Sequence, residues 1–150
     1  MSQIREEMPL FVRNEGEWAC HYKHTDVDGN ILDEHDVQIR CEFPDDGDVA
    51  YRQHTKNIWP DGRSEEIIFN TYYDPKTKAV TWDNGRINGR LWEVDDFTIY
   101  LRFGFNDRPD VEICEMIQLS SCGNKRTRTW HWFKNEELFQ RTIVTEHRVK

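Results

Sequence analysis

Gly16-Glu17-Trp18-Ala19-Cys20-His21-Tyr22-Lys23-His24-Thr25 decides how this chain is read. In an extended segment Trp18, Cys20, Tyr22 and His24 share one face, and Glu17, Ala19, His21 and Lys23 share the other. That period of two marks a strand with one side in a core and one in water. A short helix-like stretch, Pro9 to Asn14, leads into it, and Asp26 to Asn30, with its Asp28-Gly29 pair, turns the chain after it.

Working outward, the same unit repeats to the end of the chain. Turn signals recur at Pro44 to Asp48, Pro60-Asp61-Gly62, Asp74-Pro75, Asp83-Asn84-Gly85, Asp95-Asp96, Asn106 to Asp110 and Cys122-Gly123-Asn124. Asp-Gly and Asn-Gly supply the positive φ of tight turns, and Pro stops strand pairing. Between them lie ten strand-like runs, at 16–25, 31–43, 49–59, 65–73, 79–83, 86–94, 97–105, 111–119, 125–134 and 138–148. Every connection is hairpin length, too short for the crossover helix that parallel pairing requires. The expectation is an all-β fold: one antiparallel, up-and-down barrel of eight to ten strands with a short N-terminal helix, a single domain over 1–150. A sandwich satisfies the same spacing. Closure is favoured because it removes both exposed edges.

Composition agrees with a half-buried sheet. The 150 residues are 37% hydrophobic and 13% aromatic, with six Trp, so large rings must supply much of the buried area. The net charge of −8 argues against nucleic-acid and anionic membrane partners. The basic and aromatic run Lys125 to Trp132 does not overturn that, because its Arg and Trp side chains alternate onto one face. No apolar run approaches a membrane span and the first residues lack a signal-peptide core, so a cytoplasmic protein is expected. Cys20, Cys41, Cys114 and Cys122 form no CxxC pair and read as free thiols, and no metal site or cofactor is expected.

Alternation also nominates an interior. Val37, Ile39, Cys41 and Phe43 face inward on the second strand, Ile67, Phe69, Thr71 and Tyr73 on the fourth, and Phe97, Ile99, Leu101, Phe103 and Phe105 on the seventh. The eighth strand contributes Val111, Ile113, Glu115, Ile117 and Leu119. Glu115 is the anomaly, since an unpaired carboxylate in a core is costly. Arg126, Arg128, Trp130 and Trp132 share a face of the ninth strand and can partner it. On the last strand Arg141, Thr145 and His147 are expected on the face carrying Phe139 and Ile143, while His21, His35 and His131 are expected outside.

Three stretches carry a family likeness: Phe11 to Trp18, Trp82-Asp83-Asn84-Gly85 leading to Gly89, and Asn124 to Trp130 with Phe139 to Arg148. Together they resemble the lipocalin-like, or calycin, β-barrels, and within them a poorly characterised bacterial and cyanobacterial family distantly related to the phycobilin lyases. The resemblance implies that Trp18 plugs the closed end and that an Arg of the last strand, Arg141 or Arg148, packs over its ring. It carries no catalytic signature residue by residue.

Two functions compete. One is a cofactor-independent cyclase, isomerase or lyase acting on a hydrophobic or aromatic metabolite, with Glu115, His24 and Tyr22 moving a proton. The other is a carrier for an aromatic, isoprenoid or tetrapyrrole-like molecule. In both, Arg126, Arg128, Trp130, Tyr51, Phe69, Tyr73 and Phe103 are the expected ligand contacts. A Glu115–Arg pair that only fixes strand register is the structural alternative. Outward rings such as Tyr100 or Phe133 could join two barrels into a homodimer.

Overall fold

The computed structural model describes residues 3–150. Its elements run α1 (Gln3–Glu7), α2 (Pro9–Val12), β1 (Gly16–Thr25), β2 (Ile31–Glu42), β3 (Tyr51–Ile58), β4 (Ser64–Asp74), β5 (Ala79–Asp83), β6 (Ile87–Glu93), β7 (Thr98–Phe105), β8 (Arg108–Leu119), β9 (Lys125–Lys134) and β10 (Glu137–Arg148). All ten expected strands are present, their ends shifted by at most three residues. Each pairs antiparallel with its sequence neighbours, and β1 pairs with β10 to close the barrel. The helix-like stretch expected from Pro9 to Asn14 is present as α2, and a second short helix, α1, precedes it.

Those helices close one end. Ile4, Met8, Leu10 and Phe11 are buried, and the Phe11 ring packs against Phe43 and Tyr51 at centroid distances of 5.0 and 4.7 Å. Asn14 ends the segment, its Nδ2 donating to the carbonyls of Leu10 and Phe11, which satisfies carbonyls left over at a helix end. Trp18 sits beneath, 1% exposed, its Nε1 donating to the Asn14 carbonyl at 2.9 Å. Arg148 of the last strand lies 4.5 Å from the Trp18 ring centroid, and Arg126 of β9 lies 4.6 Å from it. Arg141 is exposed instead. Gly16 explains why the tryptophan is introduced by glycine: its φ is +129°, and a Cβ there would collide with the Lys150 carbonyl oxygen.

Alternation places the inner faces of β1, β4, β8 and β9 correctly, and of β2 from Val37 onward. Three expectations are corrected. On β10 the buried residues are Thr142, Val144 and Glu146, while Ile143 is 44% exposed and Arg141, Thr145 and His147 face out. The β9–β10 register slips between Leu138 and Gln140, and this bulge at Phe139 reverses the phase of everything after it. His35 is buried, not outside; it shares the parity of Val37, so its strand position carries it inward. Phe97 precedes β7 in a turn and is 61% exposed. All four cysteines are free, and no helix is long and apolar enough to cross a membrane among the described residues.

Candidate functional site

Inside the barrel is a cavity of about 210 Å³, floored by Phe11 of α2. Its apolar wall includes Ile67, Phe69, Trp82, Leu101, Phe103 and Trp130, and its polar wall Gln53, Thr55, Asn57, Glu115, Arg126 and Arg128. Alternation explains the set, because each strand sends every second side chain into the hollow. A larger depression of about 1220 Å³ lies outside the barrel over β6 and β7. It shares only Phe103 with the cavity, and its Arg102 and Glu112 are half exposed and paired with each other.

Four buried charges cross the interior. Arg128 Nε donates to Glu115 Oε2 at 2.6 Å. Arg126 holds Glu146 with two bonds, Nε to Oε1 at 3.0 Å and Nη2 to Oε2 at 2.6 Å. Arg128 Nη1 stands 3.6 Å from Glu146 Oε1, linking the pairs electrostatically. Arg126 Nη1 also donates to Asn14 Oδ1 at 3.0 Å, tying the helical plug to the charge row, and the Cys20 thiol donates to Glu146 Oε2 at 2.8 Å.

The two carboxylates titrate in opposite directions. Burial would raise Glu146, but Arg126 and Arg128 outweigh it and hold it below the ordinary range. Burial raises Glu115 by more than its single bond from Arg128 lowers it. Burial likewise keeps the Tyr22 and Tyr51 phenols and the Cys20 thiol protonated. The Tyr51 hydroxyl donates to Gln53 Oε1 at 2.8 Å.

Two buried donors on the cavity wall lack a hydrogen-bond partner among the described residues: Trp130 Nε1, and Arg128 Nη1, which has Glu146 Oε1 only at 3.6 Å. Buried donors are nearly always paired, so this is where an acceptor from a ligand would be accommodated.

Of the residues expected from sequence, Glu115, Tyr22, Arg126, Arg128, Trp130, Tyr51, Phe69 and Phe103 line the cavity. Two do not. Tyr73 packs against the core beyond Thr71, its hydroxyl buried without a partner and outside the cavity wall. His24 lies toward the opposite rim, its ring stacked at 5.6 Å on His35 and its Nδ1 2.8 Å from Thr142 Oγ1. Burial, with His35 adding to it, lowers its pKa. His24 is therefore not among the residues lining the cavity, although its ring lies 6.3 Å from that of Tyr22. Sequence reasoning missed Glu146, hidden by the bulge, and the small polar residues Gln53, Thr55 and Asn57, whose alternation on β3 carried the signal.

No protein-family model and no curated protein sequence matches the chain. Solved structures do. A protein of unknown function from the DUF3598 family of Nostoc punctiforme superposes with a TM-score of 0.65 at 17% identity. That match covers 92% of this chain but only 48% of the other, so this chain spans about half the length of that relative. Rv2717c from Mycobacterium tuberculosis matches at 0.61 and 13% identity, over 96% of this chain and 98% of its own. A redesigned β-barrel matches at 0.50 and 12% identity, covering both chains fully. At these identities the likeness establishes a shared barrel fold, to which a calycin-like description is compatible, and nothing about activity.

Proposed function

We propose that this barrel binds a small, flat organic molecule that ends in a hydrogen-bond acceptor such as a carboxylate or carbonyl. One observation carries the reading: Arg128 Nη1 and Trp130 Nε1 are buried donors without a hydrogen-bond partner among the described residues, on the wall of a cavity with an aromatic and aliphatic side. The volume supports it. A cavity of about 150 Å³ lined by apolar side chains holds benzene, so 210 Å³ takes one ring system with a short substituent. A longer isoprenoid or a tetrapyrrole has to extend through the mouth.

The test compares two probes with the same ring system, indole-3-carboxylate and indole, which lacks the carboxylate, by calorimetry and tryptophan fluorescence. The carboxylate is expected to bind at least tenfold tighter, since a charged hydrogen bond contributes about 1.5–3 kcal/mol. Trp130→Phe, which keeps the ring and removes the N–H, should shrink that advantage several-fold, and Arg128→Met should abolish it. Equal affinity for both probes, or no binding of either, would overturn the proposal.

A second reading, proton-transfer catalysis without a cofactor, is favoured by how unequally the two carboxylates are held: Glu115 accepts one bond from Arg128, whereas Glu146 accepts two from Arg126 and one from the Cys20 thiol. Environments that push paired acids apart are how one site holds an acid beside a fixed anion. Glu115 would carry the proton and Tyr22, on the same wall, would orient the substrate, while Glu146 stays ionised. For a ligand found by binding, Glu115→Gln should leave affinity within a few-fold and abolish turnover. Turnover that survives would leave the binding function alone.

A further inference from the structure

The geometry points to a transition-metal site at the rim of the barrel, formed by His24, Asp33 and His35. It stands on residues outside the cavity wall and goes beyond the binding function above. One ligand atom from each of the three lies within 4.8 Å of the others. His24 on β1 is the register partner of Asp33 on β2, and His35 follows two residues later on the same side. The register shifts between His24 and Thr25, leaving Leu32 of β2 unpaired next to Asp33, and a bulge of this kind re-aims the side chains beside it.

The independent observation is His35 itself. It is 6% exposed, and its Nδ1 is buried with no hydrogen-bond partner among the described residues. Its other nitrogen, Nε2, faces Asn57 Oδ1 at 3.0 Å. A carbonyl oxygen can only accept, so Nε2 carries a hydrogen, and in the neutral imidazole Nδ1 is then the nitrogen that presents a lone pair. Nδ1 faces Asp33, whose Oδ2 is 3.7 Å away.

Each of the other two is also held from behind. His24 Nδ1 is engaged by Thr142 Oγ1, which in turn accepts from Trp132 Nε1 at 2.8 Å, so Nε2 of His24 is the nitrogen left for a metal. Asp33 Oδ2 accepts from Trp59 Nε1 at 3.3 Å, and the Trp59 ring stacks on His35 at 4.8 Å. Partners that fix the tautomer and aim of each ligand are the usual surroundings of a metal-binding histidine. Zinc–nitrogen bonds of about 2.0–2.1 Å require the widest pair to draw in. Asp33, half exposed, has the freedom to close that gap. Two imidazoles and one carboxylate suit a divalent first-row ion such as Zn²⁺, with a coordination position left for water or a ligand atom.

A competing cation site must be separated. His21 on the outer face is clamped by Glu34 and Asp36 at 2.8 and 2.9 Å, both ring nitrogens already occupied.

The experiment titrates Zn²⁺ into the full chain, free of any affinity tag, against a chromophoric chelator, and repeats it with Co²⁺ to read the visible bands of a low-coordinate ion. One equivalent is expected to bind, and Asp33→Asn and His24→Gln should each weaken it at least tenfold. His21→Gln should leave it unchanged. Absence of stoichiometric binding, or binding that survives Asp33→Asn and His24→Gln but is lost in His21→Gln, would overturn the assignment. No organic ligand enters this assay, so its failure leaves the cavity's function untouched.

Discussion

Glu146 and Arg126 form a two-bonded ion pair inside the barrel, with carboxylate and guanidinium both nearly inaccessible to water. Removing one partner strands the other charge in a medium that cannot solvate it. Glu146→Gln is expected to cost about 3–5 kcal/mol in urea unfolding, whereas Glu146→Leu combined with Arg126→Met should recover most of that loss. A single-variant cost under about 1 kcal/mol would mean that water reaches the pair.

The two carboxylates should also leave opposite marks on the stability-versus-pH curve. Glu146 has a depressed pKa in the fold, so its contribution is complete above the unfolded value near 4.5 and vanishes as pH falls through the folded value. Glu115 has a raised one, so its contribution is complete below about 4.5 and declines as pH rises through the folded value. Relative to the parent, Glu115→Gln should therefore gain stability with rising pH, and Glu146→Gln should regain ground as pH falls below about 4.5. Denaturant titrations across that range read both signs, and parallel curves would contradict them.

Gly89 is set against Trp82, its register partner on β5. A Cβ at this position would lie 2.6 Å from Trp82 Cζ2, from Phe103 Cβ and from the Arg102 carbonyl oxygen. The backbone oxygen cannot step aside, so Gly89→Ala should destabilise by about 1–3 kcal/mol and disturb the cavity wall through Trp82 and Phe103. The same change at Gly85, where nothing lies within 4 Å, meets no neighbour and should cost only the strain of its positive φ. Thermal unfolding of the two variants distinguishes collision from strain.

Arg148 closes the barrel as well as covering Trp18. Its guanidinium donates to the main-chain carbonyls of Gly123, Glu15 and Arg13. Arg148→Lys keeps the charge but cannot span three carbonyls with a planar fork. A loss of about 1–2 kcal/mol is expected, with a red shift in tryptophan emission as water reaches Trp18. An unchanged emission maximum would count against that role.

The strands were legible because their signal is local. Alternation of apolar and polar residues, cut by Asp-Gly, Asn-Gly and Pro, is written within each ten-residue run, and it located Glu115, Arg126, Arg128 and Trp130 on the interior. It failed at β10, where one inserted residue at Phe139 reverses the inward parity and hides Glu146. The sequence of that strand reads equally well in either phase, since Ile143 and Val144 are adjacent and both apolar. It failed again at His35, where a polar residue on an inward position was read as an outward one.

By itself, then, the order of residues determined an antiparallel meander, its turns, the helical plug above Trp18 and most of the inward side chains. These follow from short-range sterics and from the period of an extended chain. Only the tertiary structure decided which charges meet, that Glu146 lies 20 residues from Arg126 yet bonds to it twice, and that His24 meets Asp33 and His35. Those outcomes depend on register and closure between strands, which burial of the whole interior selects and no single strand encodes.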